Sequence, residues 1–348
     1  MQGGETTQGV VGAVPTVTWP SHTTLITGVP PREHGILGNR RSKNDTGDYY
    51  WMADMLKVKT LWHATRNGGL KSAAITWPVT VNADIDFNLP EYFRDRQGGS
   101  MDYISVFEKA TTGLVEKIEQ FDPSFRQTWV DDRTRKVAAL YLLKYERPDL
   151  LLLHFVELDS VAHQHGPFSK EANDELENTD RYIGEILQAA PTDAVICLTS
   201  DHGFVRVDRE VNIEALAKQS DSQGKLMLLG GLLATADAFT AQKLRDSNRL
   251  GREVPRAELL HFAPEAEQRK IVAAFEPKAN EGFGTDSSPE LYVKPHEAGN
   301  HGFWPGLANY RSSLILSGPG IAPGKKPEAP IESIAPRLAS ILGVKLER

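Results

Sequence analysis

Two short motifs bring carboxylate and imidazole side chains together in a way that suits a divalent cation. Asp159 is followed four residues later by His163, within D-S-V-A-H-Q-H-G-P, a spacing that puts both side chains on one side of a helical turn. Asp201-His202-Gly203 is a second, more compact pair. Such oxygen and nitrogen donors are the ligand set of zinc and similar ions. Either pair alone also fits an ordinary Asp–His hydrogen bond or a capping aspartate; two pairs closing two apolar runs favour the metal. A third element is P-T-V-T-W-P-S-H-T-T-L-I-T-G, from Pro15 to Gly28. Thr18 there lies near the start of a short apolar helix, where free N–H groups and the helix dipole favour an anion. A hydroxyl beside a phosphate is a candidate nucleophile, and a plain threonine N-cap is the other reading.

These residues need strands to hold them. The continuous apolar runs DLLLLHFVEL (Asp149–Leu158) and DAVICLTS (Asp193–Ser200) predict parallel strands covered on both faces. Asp159 and Asp201 then fall at their carboxyl ends, where open α/β sheets bind ligands. Between the runs, Ala172, Leu176, Tyr182, Ile183, Ile186 and Leu187 in a charged frame predict an amphipathic crossover helix from Ser169 to Ala190. Further alternation follows from a helix over Met55–Asn67 before a strand over Ser72–Val79, and from a strand over Ser312–Gly318 before a helix over Ile331–Leu342. Asp131–Tyr145 is a further expected helix, and residues 80–128 and 205–290 are expected to be insertions or cap elements. The expected class is α/β with a largely parallel sheet.

Composition narrows the partners. The 348 residues carry 39 Lys+Arg against 46 Asp+Glu, a net charge of -7, so no basic field exists to hold a nucleic-acid polymer or an anionic membrane. Phosphate binding has to be local. The single cysteine, Cys197, excludes an internal disulfide and reads as a small buried hydrophobe. No apolar run approaches the roughly 18 residues of a membrane span, and MQGGETTQGVVGAVP has no signal-peptide pattern. H-E-x-x-H, G-x-S-x-G, Walker A and G-x-G-x-x-G motifs in the needed context are absent, which leaves metalloprotease, serine hydrolase and nucleotide kinase readings without support.

Four segments in order, TVTWPSHTTLITGVPPREHGILGN (Thr16–Asn39), ELDSVAHQHGP (Glu157–Pro167), TSDHGF (Thr199–Phe204) and NHGFWPG (Asn300–Gly306), resemble the type I phosphodiesterase/nucleotide pyrophosphatase family of the alkaline phosphatase superfamily. The resemblance implies a single catalytic domain over residues 1–348, a three-layer αβα sandwich with cap-like insertions, and two divalent metal ions, zinc above others. It implies Thr18 as nucleophile and metal ligand, Asn39 as a contact to a phosphoryl oxygen, Asp201 and His202 as ligands of the nucleophile-side zinc, and Asp159, His163 and His301 as ligands of the other. Trp19 and His154 would flank a nucleobase or aromatic leaving group, with core packing as their other reading. His22, His34, His165 and His296 read as turn, ligand-orienting or solvated residues. The implied reaction is hydrolysis of a small phosphodiester or nucleotide through a covalent threonine intermediate, outside the cytoplasm. A phosphonoacetate-hydrolase-like or phosphomonoesterase activity, or a non-catalytic metal or phosphoester binder, are the alternatives. In the family an apolar first strand ends in an aspartate that completes the nucleophile-side site. Here the 17 residues before Thr18 hold one acidic residue, Glu5, outside any such strand. The expectation is therefore an N-terminally incomplete domain lacking that strand, through a late start, a fragment or degeneration.

Overall fold

A computed structural model describes residues 4–41, 48–95, 101–126 and 131–347. Ser72–Ile75 is the centre of a three-stranded parallel sheet, pairing with Phe87–Leu89 on one side and Leu150–Leu153 on the other. Its small residues Ser-Ala-Ala-Ile are buried throughout, as a strand covered on both faces requires. Strand alternation sorts the neighbouring leucines: Leu150 and Leu152 pack with Leu25, Ile26, Trp62 and Ile334, whereas Leu151 and Leu153 pack against Ile75, Ile118 and Val137.

A second sheet runs in the order Gly324–Lys326, Glu5–Thr7, Leu314–Ser317, Ile196–Thr199. It is mixed, because Leu314–Ser317 is antiparallel to both its neighbours. Leu314, Leu316 and Cys197 enter the same core as Leu150 and Leu152, so the two sheets line one apolar interior. The first sheet is wholly parallel, whereas in the second only Glu5–Thr7 and Gly324–Lys326 run parallel to each other. Leu150–Leu153 and Ile196–Thr199 are edge strands of their respective sheets, and Ile196–Thr199 is half-buried along its length. That corrects the expectation of full cover for Ile196–Thr199, whereas Leu150–Leu153, although an edge strand, is packed on both faces as expected; among the described residues no strand pairs with either edge. Glu5 also departs from expectation, since it lies in a strand and is buried, with its carboxylate accepting from Arg337 Nη2 at 2.9 Å.

Local chemistry explains the helix boundaries. The Met55–Asn67 pattern shortens to Leu61–Asn67, because Thr60 and His63 form a reciprocal cap that starts the helix there. The Asp149–Leu158 run is strand only to Leu153, and Glu157–His165 is helix. The helix Thr18–Thr27 buries every residue after Thr18, although four of them are threonine or serine. It manages this because Thr23, Thr24 and Thr27 donate their hydroxyls to the carbonyls of Trp19, Pro20 and Thr23, one turn back. Residues 80–128 contribute the strand Phe87–Leu89 and the helix Leu114–Phe121 to the core beside Ser72–Ile75. Residues 205–290 supply most of two small three-stranded sheets with their own apolar clusters.

Candidate functional site

The helix Glu157–His165 carries Asp159 in its first turn and His163 one turn later, which is how the four-residue spacing becomes a pair: His163 Nε2 lies 3.4 Å from Asp159 Oδ2. Gly166 ends this helix at φ 85°, where a side chain would be strained and would press on the Ala298 carbonyl. A Cβ on Gly299 would fall under 3.0 Å from Pro167, Ala162 and Phe204, so glycine lets the segment leading to His301 lie against the helix. His301 Nε2 thereby comes to 3.8 Å from Asp159 Oδ1. Among the described residues, Asp159, His163 and His301 present ligand atoms all within 4.8 Å of one another.

Asp201 and His202 follow the strand Ile196–Thr199. His202 Nε2 is 3.2 Å from Asp201 Oδ2 and 3.9 Å from Asp159 Oδ1, and its ring stacks on His301 with centroids 3.7 Å apart. The two groups therefore share an edge. Thr18 opens its helix beside them: His22 Nδ1, one turn on, contacts the Thr18 carbonyl at 2.9 Å and Asp201 Oδ2 at 3.4 Å. Asn39 Oδ1 accepts from the Trp19 amide at 3.0 Å, which fixes Asn39 at that helix start. The loop after His301 is tied to the same segment, since the Gly302 amide donates to the Tyr310 hydroxyl at 2.9 Å and that hydroxyl lies 3.0 Å from Thr16 Oγ1.

The donor set fits a cation. His163 Nδ1 faces Glu297 Oε2 at 2.7 Å and the Gly299 carbonyl at 3.1 Å; His202 Nδ1 faces the Gly203 carbonyl at 3.1 Å. With Nδ1 carrying the proton, each ring turns the Nε2 lone pair toward a carboxylate oxygen, and two acceptors facing each other are reconciled by a positive ion between them. Asp159 Oδ1 and His301 Nδ1 are buried without a hydrogen-bond partner, an unmet need that a cation at the group would satisfy for the carboxylate. Burial and the neighbouring His202 push the His301 imidazole down to about 3, keeping it neutral as a ligand must be. Burial works against the charge on Asp159, but His163 and the surrounding His301 and His202 imidazoles hold its carboxyl below the usual range. Burial likewise opposes the Asp201 charge, and His202 and His22 outweigh it by a wide margin. His163 is raised, because Asp159 and Glu297 overcome the burial that lowers it.

The structure thus brings Thr18, Asn39, Asp159, His163, Asp201, His202 and His301 into one neighbourhood. It places Trp19 and His154 differently from a pair of open stacking faces. Trp19 is 6% exposed and packs on Tyr49 and Trp51; His154 packs on His22, with centroids 4.1 Å apart, and burial pushes it down to about 3. His165 is exposed, and His296 pairs with Glu210 at 2.9 Å. Sequence reading missed Glu297, in the unpatterned stretch K-P-H-E-A-G-N, and Tyr310; neither sits in a periodic or motif context, and only the fold brings them in.

Comparison with known proteins follows the same line. Residues 2–303 match the family model described as type I phosphodiesterase / nucleotide pyrophosphatase. The chain is 26% identical over 202 residues to mouse ectonucleotide pyrophosphatase/phosphodiesterase family member 1, covering 55% of this chain and 19% of that protein. It is 25% identical over 232 residues to the venom phosphodiesterase CdcPDE of Crotalus durissus collilineatus, covering 62% and 24%. The chain therefore spans about a fifth to a quarter of these relatives. Murine ectonucleotide pyrophosphatase / phosphodiesterase 5 superposes with a TM-score of 0.65 at 17% identity, over 100% of this chain and 89% of that one. An inactive form of that protein in complex with AMP gives 0.63 at 16% identity, with the same coverage.

Proposed function

Because the chain belongs to the type I phosphodiesterase/nucleotide pyrophosphatase family, we propose that it hydrolyses phosphodiester or pyrophosphate bonds of small substrates through an intermediate on Thr18. One observation carries this reading: the Asp159, His163 and His301 group and the Asp201–His202 pair meet at 3.9 Å, with two Nε2 lone pairs aimed at carboxylates. Asp159, His163 and His301 would hold one divalent ion, and Asp201, His202 and the Thr18 hydroxyl a second, with zinc favoured by the nitrogen and oxygen donors. When bound, such ions supply the positive charge that acidifies a hydroxyl and stabilises the entering and leaving oxygens at phosphorus. They also explain how a chain of net charge -7 takes an anionic substrate.

Thr18 Oγ1 forms the new bond to phosphorus as the ester or anhydride oxygen departs, its own proton passing to solvent and the leaving oxygen taking one up. Water then forms a bond to phosphorus and Thr18 Oγ1 leaves, regaining a proton. Asn39, anchored by the Trp19 amide, donates to a phosphoryl oxygen through both steps. His22 holds the nucleophile's turn against Asp201. Residues from Thr18 to His301 are needed together, which supports one catalytic domain. The names of the relatives, ectonucleotide and venom enzymes, support action outside the cytoplasm, and the neighbour in complex with AMP supports a nucleotide substrate.

The test compares bis(4-nitrophenyl) phosphate with 4-nitrophenyl phosphate before and after metal removal by chelation. A higher kcat/KM for the diester, lost on chelation and regained with zinc, is the expected result. A preference for the monoester would shift the reading to a phosphomonoesterase, and activity indifferent to chelation would end the metal assignment.

A further inference from the structure

The helix that presents Asp159 and His163 has no cap of its own. Its N-cap residue is Val156, at φ -125° and ψ -25°, with no side-chain cap, and a valine cannot satisfy the free N–H groups of a helix start. Those groups are met from elsewhere. Asp132, the first residue of the helix Asp132–Tyr141, is completely buried. Its carboxylate accepts from the Val156 amide at 3.0 and 3.1 Å and from the Glu157 amide at 3.0 Å. The arrangement is reciprocal, since Glu157 Oε2 accepts from the Asp132 amide at 2.9 Å. Two helix starts cap each other.

Arg135, itself 4% exposed, donates from Nη1 to Asp132 Oδ1 at 2.8 Å and balances the buried charge. Asp132, Glu157 and Glu175 also lie close enough together to be a candidate cation group. Both oxygens of Asp132 are already taken by N–H donors, however, and Glu157 Oε2 accepts from the Asp132 amide, so that of these three side chains only Glu175, through Oε1, keeps a buried oxygen without a partner. The cluster is therefore better described as a clamp than as an ion site. Its place in the chain gives it leverage, because Asp159 follows Glu157 by two residues and His163 lies one turn further on the same helix.

We propose that Asp132, with Glu157 as its reciprocal partner, is a positioning residue that fixes the orientation of Asp159 and His163 toward His301. The proposal rests on the reading of those three residues as a metal centre. A charge-assisted cap holds the first turn rigidly where a neutral or unmet one lets it rotate and fray, and displaced ligands lose metal affinity even when none of them is changed.

The experiment uses the full chain in an Asp201→Ala background, where the Asp159 group alone remains to hold zinc, and measures zinc affinity by competition with a chromophoric chelator. Asp132→Asn is expected to weaken zinc binding about tenfold or more. Leu259→Ala, in the apolar cluster around Trp304, is the control: it lowers the unfolding temperature without touching the clamp, and should bind zinc as the background protein does. Where Asp132→Asn fails to give folded protein, Glu157→Ala, which removes the other half of the clamp, is held to the same criterion. Affinity within threefold of the background, or an equal loss in Leu259→Ala, would overturn the clamp while leaving the metal centre standing. Absence of zinc binding by the background and by the unsubstituted chain would instead overturn the metal centre, and the clamp's role with it.

Discussion

Acidification should loosen the segment that carries Asn39, and the size of the effect can be worked from His34. This residue is completely buried, and burial pushes its imidazole down to about 3 from the ordinary 6.5. Its Nδ1 accepts from the Ile36 amide at 3.2 Å, and its Nε2 lies 3.1 Å from Thr24 Oγ1, so the neutral ring joins the Thr18 helix to the turn that leads to Asn39. Because the folded value is depressed, the unfolded chain takes up a proton that the folded one refuses. The stabilisation is therefore fully present above pH 6.5 and is lost as pH falls toward 3. Linkage gives about 1.4 kcal/mol per pH unit in that window, or about 2 kcal/mol between pH 7 and pH 5. Urea unfolding of the unsubstituted chain and of His34→Asn at pH 7, 6 and 5 measures it: the variant starts less stable, and the gap should shrink by about 2 kcal/mol across the range. A gap that stays constant would show that His34 is protonated in the folded protein and would remove its role as a neutral bridge.

Two further outcomes concern the site. Thr18→Ala should abolish diester turnover while the Asp159 group still binds zinc, since only the nucleophile is removed; retention of most of kcat would mean that water attacks phosphorus directly. Glu297→Gln should weaken zinc binding at the Asp159 group by about tenfold, toward the low end for residues that orient a ligand, because the Gly299 carbonyl still faces His163 Nδ1; chelator competition showing a change under twofold would remove Glu297 from the site.

The two acid–imidazole pairs proposed as metal ligands were legible in the sequence because their signals are local, whereas His301 entered only through the family resemblance. Asp159 and His163 are related by one helical turn, Asp201 and His202 are adjacent, and both pairs follow apolar runs. Pairing of strands is not local, and there the reading slipped: the run Ile196–Thr199 is apolar enough for an interior strand, yet it closes one edge of its sheet and stays half-buried. The start of the Leu61–Asn67 helix was missed because its cap uses His63 where the familiar pattern has Glu or Gln. Trp19 illustrates a different limit. An aromatic residue next to a nucleophile suggests stacking, but the chain also brings Tyr49 and Trp51 against it, and no spacing in the sequence announces that cluster. Asp132 and Glu297 act on Asp159 and His163 from distant parts of the chain, and residue type alone did not distinguish them from other acidic residues on helices and loops.

The central claim is that two groups of side chains hold two metal ions beside Thr18. Anomalous difference density at the zinc edge, from crystals grown with zinc, tests it most directly. The account predicts one peak among Asp159, His163 and His301 and a second between Asp201 and His202 next to the Thr18 hydroxyl. Density absent from both places, or zinc among Asp132, Glu157 and Glu175 instead, would contradict it.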